Sequence, residues 1–451
     1  MSKKILIIFS VVVLLVGGLF VACDGEDDDV NGDDVNGNGV VNGNGEPILP
    51  DDYDTRESIV IGAARPISGP LNMIGDFAFG PVLNIWVDDV NARGGIYVDE
   101  YDRSLPIDLI IYDDTSDMGT MTTLLERLIL EDEVDFIMPP CSTAFLYAAG
   151  PIANNYEYIF LGGEGGCTTL TALLPDLPYT FGVLNYSDYN QIPVMADLFV
   201  EWGVETVAYI YIADLHGIEY AHTSEAEFLQ RGIQVVYSEG VLPTALDLTP
   251  QLKAARDSGA DAFCSYTYPP ISIFVYGQAI ELGYSPDVFV IGPGANFQFY
   301  YDIFGPMTEG LISFGAWNRQ TSPEADAFAD MTVAALGDLG LAVYGDEEAF
   351  VDWWGGLFYW GALQFFEQAI VEAGTLDQSV IRDVMATSTF TTALGPTWFD
   401  MTADGAGGGL LALECHPGQL GQWQDGIFEV IGPAANATAP AIYPKPPFPA
   451  P

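Results

Sequence analysis

Cys141, Ser142 and Thr143 are the residues of this chain best suited by type and position to binding a small anion. They follow a short apolar run at 134–138 and a pair of prolines. Such a run, bounded by turn residues, is typical of a strand buried on both faces. The carboxyl end of that strand, next to a helix N-terminus, is where α/β proteins bind groups such as a ligand carboxylate. The pattern fits either a carboxylate site or an ordinary strand-to-helix turn with a capping serine.

The charge and length of the chain indicate which partners it can have and how many domains it forms. It has 451 residues, with 13 Lys and Arg against 63 Asp and Glu, and a formal net charge of -50. A surface this acidic repels phosphate backbones and anionic headgroups, so no nucleic-acid partner is expected. The length exceeds what one compact core usually holds, and two domains are predicted.

The N-terminus has the pattern of a targeting segment. Lys3 and Lys4 precede an apolar run, and the sequence around Cys23 resembles a bacterial lipobox. Residues 1–22 are therefore predicted to be a lipoprotein signal peptide, with Cys23 lipidated, and the alternative is an uncleaved membrane anchor. Either places the bulk of the chain in the cell envelope, outside the cytoplasm. The acidic Gly/Asn/Asp segment 23–56 is predicted to be a disordered tether.

From residue 58 onward the sequence alternates strand and helix patterns, and this rhythm restarts after residue 185. Repeated βαβ units predict an α/β fold with doubly wound parallel sheets. Two such lobes in sequence predict a ligand cleft between them.

An ordered set of short motifs resembles the leucine/isoleucine/valine-binding proteins of bacterial ABC importers, across roughly residues 57–435. The motifs are Pro66-Ile67-Ser68-Gly69-Pro70, Asn91-Ala92-Arg93-Gly94-Gly95-Ile96, Tyr112-Asp113-Asp114, Cys141-Ser142-Thr143 and Gly395-Pro396-Thr397-Trp398. The resemblance implies the type I periplasmic-binding fold, with two Rossmann-like lobes joined by a three-strand hinge. The implied first lobe is 57–183 plus 316–398, and the second is 184–315 plus 399–435. The three hinge crossovers would lie at 182–185, 313–317 and 397–403. The remaining residues, 436–451, form a Pro-rich tail.

The resemblance also implies a function. The chain would be an extracytoplasmic solute-binding lipoprotein, a monomer without cofactor or metal, that closes on a small amino-acid-like ligand and delivers it to ABC permease subunits. Its contact with the membrane would be the lipid anchor alone. The alternative is a sensory or chemoreceptor accessory protein that uses the same fold to present a ligand.

The implied ligand-binding residues come from both lobes. In the first lobe they are Ser68, Ile74, Cys141, Ser142, Thr143, Glu164 and Gly165, the last two in a predicted loop at 162–166. In the second lobe they are His216, Tyr268 and Gly294. Glu164 is either an anchor for an ammonium group or a solvated loop acid. His216 contacts ligand or is a surface or helix-capping residue, and Tyr268 faces ligand or packs in the core.

Two positions depart from the branched-chain amino-acid binders. Gly294 stands where they carry an acid, and Ile74 stands where they place an aromatic residue. A different ligand, such as an amide, a urea-like compound or an aromatic acid, is therefore an open alternative. Arg65 fits either a pairing with an acidic ligand or a structural ion pair, and the acidic composition favours the ion pair.

Cysteine placement predicts one disulfide. The family's bridge to the position of Cys141 would start at Ser116, which is not a cysteine. Cys141 and Cys167 both lie at the carboxyl ends of predicted first-lobe strands, so these two are the expected pair in an oxidising compartment.

The sequence gives little support for an enzyme. It shows no Gly-x-Gly-x-x-Gly after a strand, no P-loop and no nucleophile elbow. Three histidines leave little general-base chemistry, and a zinc site at His216, Glu219 and His222 is disfavoured. The aromatic cluster around 353–360 is interpreted as core, with Trp317 as the cleft-edge candidate.

Overall fold

The computed structural model describes residues 49–184, 190–315, 317–338, 351–403 and 405–449. The predicted signal peptide, Cys23 and most of the predicted tether lie outside the described residues. From Leu49 onward the chain forms one compact unit.

Strands and helices alternate along most of this unit. The strands are β1 (Ile59–Arg65), β2 (Ile96–Val98), β3 (Arg103–Leu105), β4 (Ile107–Asp113), β5 (Phe136–Met138), β6 (Phe160–Gly166), β7 (Thr180–Leu184), β8 (Thr206–Ile212), β9 (Gln234–Val241), β10 (Ala262–Tyr266), β11 (Val288–Gly292), β12 (Ile312–Phe314), β13 (Phe390–Thr392), β14 (Gly395–Thr397), β15 (Phe399–Met401), β16 (Gly409–Leu411), β17 (Leu420–Gln424) and β18 (Ile427–Gly432). The helices are α1 (Asn72–Ile74), α2 (Gly80–Ala92), α3 (Met118–Leu130), α4 (Thr143–Asn155), α5 (Gln191–Trp202), α6 (Leu215–Gln230), α7 (Thr249–Asp257), α8 (Pro269–Glu281), α9 (Gln298–Phe304), α10 (Pro323–Asp338), α11 (Gly355–Ala373) and α12 (Gln378–Thr387).

Apart from the antiparallel pair β2-β3, two sheets carry the strands of the first half. One has the order β4-β1-β5, with all strands parallel, and in the other β6 and β7 are parallel neighbours. Helix α11 packs against β6, β7 and α2 and is buried over most of its length. The apolar residues of β1 and β5 are almost fully buried, as expected for strands covered on both faces.

Residues 399–411 lie apart from the lobe predicted for them. The sequence assigned them to the second lobe, whereas β16 pairs in parallel with β7 and β15 pairs with β16. Ring packing explains the difference, because Phe399 meets Phe181 edge-to-face at 5.1 Å between ring centroids. The chain therefore crosses to the larger sheet only after β16.

The larger sheet holds the strands of the second half. Within the described residues its order is β18-β17-β12-β11-β10-β8-β9, parallel from β12 to β9 and antiparallel at β17 and β18. Helices α6 and α8 follow β8 and β10, so their first turns lie at the carboxyl edge of this sheet. That edge is where a ligand site is expected in an α/β fold.

The C-terminal tail packs against the side of the larger sheet. The Tyr443 ring stacks on Trp202 at 5.1 Å, and the backbone N–H of Lys445 donates to the carbonyl of Asp287 at 2.8 Å. Phe448 meets Tyr276 edge-to-face. The tail thus covers apolar surface on this half of the molecule.

Candidate functional site

The turn after β5 is fastened to β6. The backbone N–H of Ser142 donates to the carbonyl of Glu164 at 3.0 Å, and the Thr143 hydroxyl accepts from the N–H of Gly166 at 3.3 Å. Ser142 has a φ of 94° and makes no side-chain capping bond to α4. The interpretation of Ser142 as an ordinary capping residue is therefore wrong, because its side chain accepts no hydrogen bond from the first turn of α4.

Close contact with β6 requires a residue without a side chain at position 165. A Cβ on Gly165 would lie 2.6 Å from the carbonyl carbon of Ser142 and 2.8 Å from the nitrogen of Thr143. The segment 162–166, predicted as a loop, is a fully buried part of β6. The glycines allow strand and turn to touch, which holds Ser142 and Thr143 at the sheet edge.

A cavity of about 370 Å³, part of it open to solvent, lies between this turn and the carboxyl edge of the larger sheet. Its lining includes six predicted ligand-binding residues: Ile74, Ser142, Thr143, Glu164, Gly165 and Tyr268. It also includes six residues that sequence reasoning did not propose for the site: Phe79, Pro269, Pro293, Phe297, Asp352 and Trp354. The structure therefore brings together residues that are far apart in the chain.

Four predicted ligand-binding residues do not line the cavity. Ser68 is exposed, and its hydroxyl donates to Asp113 at 2.6 Å. Cys141 is fully buried behind the turn. A Cβ on Gly294 would meet the Ser272 hydroxyl at 2.0 Å, so this glycine serves close packing.

His216, the fourth of these residues, lies behind the cavity wall. Its ring stacks on Tyr268 at 4.8 Å and meets Tyr220 edge-to-face at 4.9 Å. Burial lowers the pKa of His216 to about 3. The imidazole is therefore neutral near pH 7, and its role is to support the tyrosine ring that faces the cavity.

Glu164 forms a buried ion pair with Arg65. The two guanidinium nitrogens donate to the two carboxylate oxygens, each at 2.9 Å, and Arg65 also donates to the carbonyl of Gly75. Burial raises the pKa of Glu164 to about 7, against the opposing effect of the Arg65 charge. The interpretation of Arg65 as a structural ion-pair partner is confirmed, and that of Glu164 as a solvated loop acid is wrong.

The predicted disulfide is wrong. Cys141 and Cys167 are both free and buried. They belong to different apolar clusters: Cys141 to the one that contains Phe136 and Met138, and Cys167 to the one that contains Phe160. Burial raises the pKa of the Cys167 thiol to about 12, so it stays protonated. Sequence position placed both cysteines at strand ends but could not show that they pack into different apolar clusters.

Asp352 is the main residue that sequence reasoning missed. Its side chain accepts hydrogen bonds from the side-chain amide of Asn296 at 2.6 Å, from the N–H of Trp354 at 3.0 Å and from the N–H of Gly356 at 3.1 Å. Burial raises the pKa of Asp352 to about 6, although all three donors oppose the shift. An Asp shortly ahead of Gly355 and Gly356 was a usable helix-start signal in the sequence.

Four aromatic rings form much of the apolar wall. They belong to Phe79, Tyr268, Phe297 and Trp354. Trp317, the predicted cleft-edge residue, is fully buried and packs on Trp353 at 5.0 Å. The cluster at 353–360 is buried as predicted, but Trp354 also reaches the cavity.

One further contact joins elements of the two halves at the cleft. A carboxylate oxygen of Glu219, on α6, accepts from the backbone N–H of Thr169 at 2.6 Å. Thr169 follows β6, which belongs to the smaller sheets. Among the described residues no group of three His, Cys, Asp or Glu side chains is placed to hold a metal ion.

Comparison with known proteins identifies the family. A family model described as periplasmic binding protein matches residues 58–426. The chain belongs to this family. It is a family of binding proteins and not of enzymes, as the sequence predicted.

Named relatives of this periplasmic binding protein are distant. Leu/Ile/Val-binding protein homolog 7 of Brucella suis biovar 1 is 24% identical over 252 residues, which span 53% of this chain and 59% of the relative. LivJ from Streptococcus pneumoniae, solved in complex with isoleucine, has a TM-score of 0.66 at 19% identity and covers 84% of this chain and 100% of its own. A solute-binding protein from R. palustris, solved in complex with 4-hydroxybenzoate, has a TM-score of 0.66 at 17% identity. The match covers 82% of this chain and 95% of that protein. The type I periplasmic-binding fold predicted from the sequence is confirmed.

No helix among the described residues of this periplasmic binding protein is long and apolar enough to cross a bilayer. Cys23 and the predicted signal peptide lie outside those residues, so lipidation stays a prediction.

Proposed function

We propose that this periplasmic binding protein is the solute-binding component of an ABC importer and takes a small amino-acid-like molecule into the cavity between its two halves. The observation that carries the proposal is the lining, which combines the Ser142–Thr143 turn of the smaller sheets with Tyr268 at the edge of the larger one. Relatives with this fold were solved with isoleucine and with 4-hydroxybenzoate, both small carboxylates.

The Ser142–Thr143 turn is the proposed binding site of the ligand carboxylate. The Thr143 hydroxyl oxygen already accepts from Gly166, so its hydrogen is available to donate. The first turn of α4 adds backbone N–H groups and the positive end of the helix dipole. A carboxylate can therefore be held here by hydrogen bonds without a paired cation.

Closure of the two halves is proposed to accompany binding, as in other hinge-closing receptors. The chain crosses between the smaller sheets and the larger one after β7, after β12 and after β16. Permease subunits would recognise the closed form, and the lipid on Cys23 would keep the monomer at the membrane.

Isothermal titration calorimetry of the purified protein with amino acids, amides and small carboxylates tests this proposal. We expect at least one class to bind, and Ser142→Ala combined with Thr143→Val to weaken that binding by about tenfold or more, since charge-assisted hydrogen bonds contribute roughly 1.5–3 kcal/mol. Thr123→Val is the matched control, because Thr123 is exposed on α3. A folded protein that binds none of these compounds would refute the proposal.

A further inference from the structure

The charges at the cavity do not balance. Its lining contains two carboxylates, those of Glu164 and Asp352, and no Lys, Arg or His. Arg65 pairs with both oxygens of Glu164 and compensates that charge. Asp352 has no cationic partner among the described residues, although it is only 5% exposed. An ionised carboxylate at this depth is costly unless a positive charge joins it.

Asp352 is held firmly in place. The backbone N–H of Trp353 donates to the carbonyl of Asn296 at 3.0 Å, and the N–H of Gln298 donates to the carbonyl of Val351 at 3.1 Å. These bonds join the segment before α11 to the loop after β11. The carboxylate is thus fixed by backbone pairing as well as by the hydrogen bonds that it accepts, and it is preorganised for a ligand.

The donors to Asp352 are all neutral. They are the side-chain amide of Asn296 and the backbone N–H groups of Trp354, Gly355 and Gly356. These donors satisfy the oxygens of the carboxylate but bring no formal positive charge to compensate it. Since Asp352 lines the cavity, a cationic group of a bound molecule can supply that charge.

The aromatic rings around Asp352 also favour a positively charged group. Phe79, Phe297, Trp354 and Tyr268 line the cavity with Asp352. Aromatic faces are electron-rich and attract ammonium groups, an effect that grows when water is excluded. His216 adds no competing positive charge, because its ring is buried and packed behind Tyr268.

We infer that Asp352 receives a positively charged amino group of the ligand and is the residue that selects amine-bearing molecules over simple carboxylates. This inference rests on the proposed function, because it concerns the same cavity. The ligand is then a zwitterion or a cation, with its amino end at Asp352 and its apolar part among the rings. An aromatic or aliphatic acid without an amino group leaves Asp352 uncompensated and binds weakly.

Calorimetry with pairs of probes that differ only in the amino group tests the inference. The pairs are leucine with 4-methylpentanoate and phenylalanine with 3-phenylpropanoate. We expect the wild-type protein to favour the amine-bearing member by about tenfold or more. Asp352→Asn, which keeps the shape of the side chain, should reduce the preference to less than about threefold. Asp114→Asn should keep it, because Asp114 is a buried acid that does not line the cavity.

The outcomes separate this inference from the proposed function. Equal or tighter binding of the acids that lack an amino group overturns the role of Asp352 and leaves the solute-binding function standing. An Asp352→Asn protein that keeps the full preference does the same. Absence of binding for all four probes in a folded protein overturns the inference, and it rejects the solute-binding function as well only if the wider series of amino acids, amides and small carboxylates also fails to bind. The wild-type comparison needs no variant, so it decides the matter even if Asp352→Asn fails to fold.

Discussion

Glu164 and Asp352 are buried carboxylates on the wall of one cavity, yet their charges are compensated in different ways. Glu164 has a bidentate partner within the chain, whereas Asp352 has only neutral hydrogen-bond donors among the described residues. Burial raises the pKa of both groups, to about 7 for Glu164 and to about 6 for Asp352. The first acid therefore organises the wall, and the second is the one that a ligand can engage.

Binding of leucine is expected to weaken in acid. An amino group binds the ionised form of Asp352, so affinity should be level above about pH 6 and fall by up to about tenfold per pH unit below it. Calorimetry between pH 5 and pH 8 measures this. Glu164, paired with Arg65, and Asp214 also lie near the cleft with raised pKa values. Asp352→Asn separates their contribution, because that variant should lose most of the fall below pH 6.

The Arg65–Glu164 pair is expected to be structural. Arg65→Met leaves Glu164 buried without a countercharge, which costs about 3–5 kcal/mol in the free energy of unfolding. Urea denaturation measures the loss. Arg256→Ala is the control, since the Arg256–Asp257 pair is exposed and should contribute less than about 1 kcal/mol. Equal losses of unfolding free energy for the two variants would contradict the structural role assigned to the Arg65–Glu164 pair.

At the scale of elements, the site depends on how closely β6 approaches the start of α4. Ser142 has a positive φ, and two hydrogen bonds join the turn to β6. The N–H of Ser142 donates to the carbonyl of Glu164, and the N–H of Gly166 donates to the hydroxyl of Thr143. The same strand carries Glu164, so one element positions both the turn and the ion pair. Movement of β6 would therefore disturb both the Ser142–Thr143 turn and the Arg65–Glu164 ion pair.

Gly165→Ala is expected to weaken leucine binding by about tenfold or more and to destabilise the fold by roughly 1–3 kcal/mol. The new methyl group would overlap the backbone at Ser142 and Thr143, which cannot move without shifting α4. Calorimetry and urea denaturation measure the two effects. Gly277→Ala is the matched control, because a Cβ there meets only Phe304 at 3.8 Å. If both variants behave alike, close approach at Gly165 is not important for the site.

At the scale of the whole molecule, the cavity exists because the turn after β5 and the strand β6 meet the carboxyl edge of the larger sheet. Glu219 and Thr169 form a direct hydrogen bond between elements of the two halves, at 2.6 Å. Such a contact stabilises the arrangement of the halves without belonging to the core of either. It is a candidate determinant of how far the cleft is closed.

Glu219→Ala is expected to raise the dissociation constant for leucine by about tenfold, since a hydrogen bond to a charged group contributes roughly 1.5–3 kcal/mol. Small-angle scattering should show a larger radius of gyration for the variant than for the wild type at the same ligand concentration. Glu225→Ala, on the exposed side of the same helix, is the control. An unchanged affinity and radius would remove Glu219 from any role in closure.

The sequence by itself determined the class of fold and the position of the turn. Buried parallel strands need continuous apolar runs, and helix starts need turn residues, so β1, β5 and the Ser142–Thr143 turn were visible as local patterns. The ordered motifs placed these elements in a known family. The family resemblance implied Ile74, Glu164, Gly165 and Tyr268 as ligand-binding residues, and all four line the cavity.

Only the tertiary structure decided how the chemistry of the site is distributed. Arg65 and Glu164 are 99 residues apart in the chain, and nothing local showed that they pair. Cys141 and Cys167 occupy similar strand ends but face different cores. Asp352 reached the cavity through pairing with the loop at Asn296. Charge compensation and the facing of side chains depend on contacts between distant segments, and sequence patterns record only the periodicity within each segment.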